Sequence, residues 1–239
     1  MKYAAAPDYQ ALSELEIMAG ASNYNEWIWE TIAPYIGNRV LEIGSGIGTF
    51  TEFLASKPMI IATDIAPNCI DHLKSRFANS RNVAIHELDI ERIDFTEWSN
   101  IKLDTVMCIN VLEHIENDIL ALRNIHSILD TGGKLILMVP AFQCVYGTID
   151  KFDGHYRRYS KVEVISKLST AEFSIVQCHF FNSIGLLAWY YVNRVARSNR
   201  TSVTKVRMYD RFVIPFLRRL ESILNPPFGQ SIIAVSQRS

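Results

Sequence analysis

Eleven residues, Val40-Leu41-Glu42-Ile43-Gly44-Ser45-Gly46-Ile47-Gly48-Thr49-Phe50, constrain this chain more than any other stretch. An aliphatic run carrying an acid leads into three glycines at alternate positions, and two residues able to open a helix follow. Glycine tolerates the left-handed backbone of a tight turn, and N–H groups at a helix start can face a ligand. The stretch therefore predicts strand, turn and helix, with a nucleotide held at the turn. A plain strand–helix turn is the alternative, since glycine suits any tight left-handed turn. In the dinucleotide fingerprint G-x-G-x-x-G the third glycine permits close helix packing. Here that glycine comes one residue early, and Thr49 stands in its place.

Strands and helices alternate around this turn. Strands are expected at Arg39–Ile43, Met59–Thr63, Val83–Leu88, Thr105–Ile109, Lys134–Val139, Phe173–Phe181 and Ser231–Val235. Helices are expected over Leu12–Ile36, with a break near Gly20–Ser22, and at Gly48–Ala55, Pro67–Phe77 and Asp118–Leu129. Asp130-Thr131-Gly132-Gly133 ends the last of these, and Ser160 with Glu163 forms a capping box that opens another at Lys161–Leu168. Such alternation calls for a parallel sheet covered on both faces, a doubly wound Rossmann-like α/β fold. At 239 residues the chain fits one domain, 1–239. It has an N-terminal helical cap (1–37) and a helical insertion (182–230) between the sixth and seventh strands.

A formal net charge of −1 provides no global field for nucleic acid or an anionic membrane, so no nucleic-acid partner is expected. Cys69, Cys108, Cys144 and Cys178 lie far apart, as reduced thiols of a cytoplasmic protein would. The N-terminus lacks the apolar core of a signal peptide, and the longest apolar stretch, Ile184–Val192, is too short to span a bilayer. The oligomeric state is not legible.

Acids recur at the strand ends. Asp64 lies 20 residues past Gly44 (64 − 44), where a carboxylate can accept both hydroxyls of a ribose. It can equally serve the start of the helix at Pro67. Asp89, in His86-Glu87-Leu88-Asp89-Ile90-Glu91-Arg92, can accept from an adenine amino group while Ile65 and Ile90 sandwich the ring. The fourth strand ends at Asn110, followed by Val111-Leu112-Glu113-His114.

With these motifs the stretch from about Tyr24 to Val139 resembles the class I S-adenosylmethionine-dependent methyltransferases. VLEIGSGIGTF looks like that family's first motif, IIATDIAP its second, LDI its third and DTVMCINVLEHI its fourth; TGGKLILMVP looks like the turn and strand that follow. The resemblance implies a seven-stranded sheet with an antiparallel last strand, S-adenosylmethionine as cofactor and S-adenosylhomocysteine as product. It implies that Glu42 and the backbone from Gly44 through Ser45 and Gly46 to Thr49 hold the methionine end. Asp64 would take the ribose hydroxyls, Asp89 with Ile90 the adenine, and Asn110 a backbone contact under the sulfonium. Tyr24 and Trp27 are candidate aromatic walls for the cation, or core aromatics. A sulfonium is already activated, so alignment in a water-poor site supplies most of the catalysis.

Acceptor groups should follow the fourth and fifth strands. In quinone-pathway O-methyltransferases a stretch like Glu113-His114, with a further glutamate, supplies metal ligands. Asn110 replaces that acid here, and neighbouring residues cannot share a helix face, so no metal is expected. Gly154-His155-Tyr156-Arg157-Arg158-Tyr159 and the later Pro227-Phe228-Gly229-Gln230-Ser231 resemble a bacterial subgroup whose members act on small metabolites, glycans or natural products. Methyl transfer to an oxygen or nitrogen of such an acceptor is the expectation. His155 would be the general base, Arg157 and Arg158 would grip an anionic group, and His114, Tyr146 and Tyr159 would line the pocket. The structural alternative pairs those arginines with Asp150 or Asp153.

The insertion carries Arg194, Arg197, Arg200, Lys205, Arg207, Arg211, Arg218 and Arg219 against Asp210 and Glu221, among many aromatics. A lid over the acceptor is the commoner arrangement, and an interfacial membrane surface the rarer one. An NAD-dependent oxidoreductase and a catalytically silent cofactor-binding module are the competing functions.

Overall fold

A computed structural model describes residues 8–93, 98, 100–192 and 202–239. Seven strands form one sheet in the order β3-β2-β1-β4-β5-β7-β6. They are β1 (Arg39–Ile43), β2 (Met59–Asp64), β3 (Val83–Glu87), β4 (Leu103–Ile109), β5 (Leu129–Pro140), β6 (Phe173–Phe181) and β7 (Ser231–Arg238). β1 to β5 pair in parallel, and β7 runs antiparallel between β5 and β6. The chain steps outward from β1 in one direction to β3 and then restarts at β4 on β1's other side. That reversal opens a crevice at the carboxyl ends of β1 and β4, where ligands settle in open α/β sheets.

The helices among the described residues are α1 (Asp8–Ala19), α2 (Ser22–Ile32), α3 (Thr49–Phe53), α4 (Pro67–Arg76), α5 (Asp118–Ile128), α6 (Thr148–Phe152), α7 (Lys161–Thr170), α8 (Ser183–Tyr190), α9 (Val203–Phe212) and α10 (Ile214–Leu224). Alternate strand residues enter opposite layers, as the pleat dictates. Leu41, Val106, Leu135 and Leu137 meet Leu122 and Ile125 of α5 and Leu168 of α7. Val40, Met107, Ile136 and Met138 meet Trp27, Ile28 and Ile32 of α2 and Ile214 and Leu217 of α10. Each such aliphatic side chain contributes roughly 1.5–3 kcal/mol by leaving water, so both helix layers are fixed to the sheet.

Three departures from the expected elements have local causes. The helix after the glycine turn is only Thr49–Phe53, entered through Gly48 in the left-handed region (φ 82°). β5 starts early because Leu129 already pairs with Leu103; the expected turn survives as an irregularity, with Gly132 at φ 80°, before Lys134 resumes opposite Thr105. Among the described residues the insertion is helical as expected, but α9 and α10 are built into the scaffold. Asp210 accepts from the backbone N–H groups of Asn23 (3.3 Å) and Tyr24 (2.8 Å) at the start of α2. Glu221 accepts from those of Asn182 (3.1 Å) and Ser183 (2.6 Å) at the start of α8. Arg194, Arg197 and Arg200 lie outside the described residues. Among the described residues, no helix is long and apolar enough to cross a membrane.

Candidate active site

The acids anticipated at the strand ends stand side by side along the carboxyl edge, in sheet order. In the glycine turn, Gly44, Gly46 and Gly48 have φ of 70°, 54° and 82°, values that cost an L-residue with a side chain. A Cβ on Gly44 would lie 2.4 Å from Val111 Cγ2, so the turn rests directly on the chain leaving β4. Ser45 ties the turn to β2: its N–H donates to Thr63 O (2.8 Å) and its Oγ accepts from Thr63 N–H (3.1 Å). Asp64 accepts from Gly46 N–H at one oxygen (2.8 Å) and from Ala66 N–H at the other (2.9 Å). Each carboxylate oxygen has capacity beyond one donor.

Glu42 is buried under the turn and accepts the Thr51 hydroxyl at 2.5 Å. Burial pushes its carboxyl up to about 7, although the Thr51 and Ser45 hydroxyls oppose the shift. Asp89 accepts from Glu91 N–H (3.0 Å) and faces Arg92 Nε at 3.6 Å. Ile65 is exposed, whereas Ile90 is turned into the core and its carbonyl is held by Asn124 Nδ2 (2.7 Å). Asn110 closes β4 at φ 52°, with its N–H on Met138 O (2.9 Å). The residues fit S-adenosylmethionine: a left-handed glycine turn, an acid at each of three adjacent strand ends and a backbone corner at the fourth. Helix α1 covers the turn, since a Cβ on Gly46 would meet Leu15 at 3.3 Å.

Trp27 and Tyr24 pack on Phe181, with ring centroids at 4.0 and 5.8 Å. Burial pushes the Tyr24 hydroxyl up to about 12 against hydrogen bonds from Ser231 and Asn182. Trp27 belongs to the core at the β6–β7 end, and Tyr24, partly buried, packs against it.

Beyond β4 and β5, the structure gathers a charged cluster. The loop 154–159 is tied at nearly every residue: His155 N–H to Asp150 O (2.8 Å), Tyr156 N–H to Glu113 O (2.8 Å), Arg158 N–H to Gln143 Oε1 (2.8 Å) and Tyr159 N–H to Pro140 O (2.9 Å). His155 Nδ1 lies 3.1 Å from Asp150 Oδ1, and its ring meets His114 edge-on at 4.6 Å. Burial alone would lower the His155 pKa, but the Asp150 hydrogen bond and the charges of Glu113, Asp150 and Asp153 raise it above the ordinary value. His114 goes the other way, down to about 3, through burial and the charge of His155. Glu113 is buried and raised to about 7 by desolvation, and its Oε2 has no hydrogen-bond partner.

Both arginines are spent inside the protein, against the expectation of an anion clamp. Arg158 is buried, with Nε on Asp150 (2.6 Å), Nη1 on Ala141 O (3.1 Å) and its guanidinium 5.0 Å from the Trp189 ring. Arg157 pairs with Asp118 (2.7 Å) and donates to Glu116 O (2.8 Å). Tyr159 is a core residue whose hydroxyl reaches Asp118 at 3.0 Å, and Tyr146 holds the loop by donating to His155 O at 2.7 Å. Of the expected acceptor residues, His155 and His114 are the pair brought together. Leu112–His114 is a single 3-10 turn and not part of an α-helix face. Donor atoms of Glu113, His114 and His155 lie within 4.8 Å of one another.

Sequence reasoning missed Glu113 as a buried partner and gave Asp150 only a pairing role. No periodicity marks either residue. A signal existed in Tyr146-Gly147…Asp150…His155, because glycine before a short helix lets Gly147 N–H meet Asp150 Oδ2 (2.8 Å). It missed Gln230 and Asn182 as well. Asn182 Nδ2 donates to Gln230 Oε1 (2.8 Å), and Ala141 N–H donates to Gln230 O (2.8 Å), so the Pro227–Ser231 motif stitches β5 to the insertion.

Residues 41–135 match the Methyltransf_12 family model, a methyltransferase domain. The ubiquinone biosynthesis O-methyltransferase of Xanthomonas campestris pv. campestris is 26% identical over 182 residues, covering 70% of this chain and 73% of that one. Among solved structures, one in a complex of the Haloferax volcanii Trm112 methyltransferase activator with the putative methyltransferase aligns with a TM-score of 0.66. It is 14% identical and covers 97% of this chain and 96% of that one. A putative methyltransferase from Bacillus halodurans aligns with a TM-score of 0.61, 20% identity and coverage of 87% and 96%. The structural likenesses show the fold alone. All of these matches lie on the methyltransferase side of the choice that the glycine turn leaves open.

Proposed function

We propose, from the premise that this chain is an S-adenosylmethionine-dependent methyltransferase, that it methylates an oxygen or nitrogen of a small-molecule acceptor lying against His155. When bound, the cofactor supplies a methyl group on a positively charged sulfur. The roles we assign along the carboxyl edge are binding ones. The glycine turn and Glu42 receive the methionine end, Asp64 the ribose hydroxyls, Asp89 and Ile65 the adenosine, and Asn110 closes the site beneath the sulfur.

The observation that carries the acceptor side is the 3.1 Å contact between His155 Nδ1 and buried Asp150. With Nδ1 held by a carboxylate, Nε2 is the atom left to take a proton from an acceptor hydroxyl or ammonium as the methyl group arrives. Asp150 then stabilises the imidazolium that forms. An oxygen acceptor has the better support, because the Xanthomonas relative is named for O-methylation in ubiquinone biosynthesis. Natural products and glycans remain within the same acceptor class. A cytoplasmic site of action is supported by Cys108, Cys144 and Cys178 being free thiols.

The test is a panel of phenols, catechols, amines and sugars incubated with S-adenosylmethionine, with S-adenosylhomocysteine release as the readout. An acceptor-dependent release that His155→Ala slows strongly supports the reading. Equal release by parent and variant removes His155 from the chemistry.

A further inference from the structure

We propose that the outward faces of α9 and α10 dock on an anionic lipid bilayer, whatever acceptor the enzyme methylates. A surface helix ordinarily buries one apolar stripe and turns charge outward. Helix α10 has apolar stripes on two sides. Ile214 and Leu217 are in the core, while Phe216, Leu220 and Ile223, spaced four and three apart, lie on the other side with Phe216 67% and Ile223 81% exposed. Met208 and Phe212 continue the row on α9, Phe212 being 68% exposed. Aromatic and aliphatic side chains this open on consecutive helices are costly in water and require a cover.

The charge pattern selects the cover. Asp210 and Glu221 are the two acids of these helices, and both turn inward as caps on the starts of α2 and α8. The charge left facing out is cationic: Lys205, Arg207, Arg211 and Arg219 are exposed, and Arg218 pairs with Glu30 of α2. An apolar row flanked by arginine and lysine, with no outward acid from α9 or α10 among them, matches an acyl boundary below a layer of phosphates. A cavity of about 270 Å3, lined by Asn23, Ile214, Pro215, Arg218 and Arg219, opens at the start of α10. Turning Asp210 and Glu221 inward to cap helix starts leaves the outward charges of α9 and α10 all cationic.

The experiment is co-sedimentation of the full chain with phosphatidylglycerol–phosphatidylcholine vesicles and with phosphatidylcholine vesicles alone. Binding to the anionic vesicles is expected, weakened by salt and absent on phosphatidylcholine. Phe216→Glu combined with Ile223→Glu should cut it by about tenfold or more. A melting shift with S-adenosylhomocysteine that survives in this variant shows that it is folded. A second variant, Arg207→Gln with Arg211→Gln, should weaken binding without touching the apolar row. Absence of binding to anionic vesicles overturns the proposal, as does binding unchanged in the apolar variant. A dimer in sedimentation velocity that the apolar variant dissolves, without vesicle binding, also overturns it and makes a second copy the cover. Methyl-transfer activity is read separately, so failure here leaves the catalytic reading intact.

Discussion

Oδ1 of Asp150 takes His155 Nδ1 at 3.1 Å and Arg158 Nε at 2.6 Å, so one carboxylate oxygen orients an imidazole and neutralises a guanidinium. Asp150 and the Arg158 side chain are both almost fully out of solvent. Desolvation acts to raise the Asp150 carboxyl, but His155, Arg158 and the Gly147 N–H outweigh it and hold the pKa below the usual carboxylate range. Removing one partner of such a buried pair strands the other charge. Asp150→Ala should therefore cost about 3–5 kcal/mol of stability, measured by guanidinium unfolding. A loss under about 1 kcal/mol would show that the pair behaves like a surface ion pair.

His155→Ala should slow methyl transfer by roughly 10²–10⁴-fold while S-adenosylhomocysteine binds as before. A base acts in its neutral form, so the rate should rise with pH through the raised His155 pKa. Asp150→Asn removes the carboxylate that raises it and should move that rise to lower pH. A profile unmoved by Asp150→Asn would separate the rate-limiting ionisation from His155.

Asp64→Ala should weaken S-adenosylmethionine binding by about 1–3 kcal/mol, because the Gly46 and Ala66 N–H groups and the ribose hydroxyls all lose an acceptor. Isothermal titration measures it. An unchanged affinity would relocate the ribose, and a tighter response of the parent chain to NAD would favour an oxidoreductase.

Glu42 gives stability a slope with pH. Its pKa rises on folding from the ordinary 4.5 to about 7. The native state therefore holds a proton that the unfolded chain releases, and this contribution is intact below pH 4.5 and lost as pH climbs to 7. The swing is on the order of 3 kcal/mol. Glu42→Gln should match the parent at acid pH and melt higher than it at pH 8 without cofactor. A variant less stable than the parent at pH 8 would place the ionised carboxylate in a favourable site.

Glu221→Ala should free the start of α8, at a cost of about 0.5–2 kcal/mol. Hydrogen exchange in 183–190 should quicken while Leu135–Val139 stays protected. Equal exchange in parent and variant would mean that α8 is anchored elsewhere.

The readable parts of this fold were those with local chemistry. Arg39–Ile43 and Phe173–Phe181 were expected with the limits they have, because aliphatic runs bounded by turn residues carry their own signal. The Ser160–Glu163 capping box formed as its spacing demands. The acids at Asp64 and Asp89 fell at strand ends for the same reason. Arg157 and Arg158 were misjudged because their partners, Asp118 and Asp150, belong to other elements 39 and 8 residues away (157 − 118 and 158 − 150). An arginine on a loop looks alike in sequence whether it grips a ligand or a neighbouring carboxylate. The packing of Tyr24 on Phe181 was not legible either, because Phe181 reaches it only through the tertiary fold.

The place of β7 has a consequence for how the chain comes into being on the ribosome. β6 finds its strand partner only in β7, whose eight residues, Ser231–Arg238, are made some fifty positions after β6 is complete (231 − 181 = 50). In the finished sheet β7 is the partner that β5 and β6 share, so without it an edge of each lacks that pairing. Gly229 sets the entry, since a Cβ there would lie 2.5 Å from the Phe181 carbonyl. A nascent chain stopped short of residue 231 would expose two unpaired edges to its neighbours on a polysome. The last strand works as a keystone, and premature termination should be cleared by proteolysis rather than tolerated as a shortened enzyme.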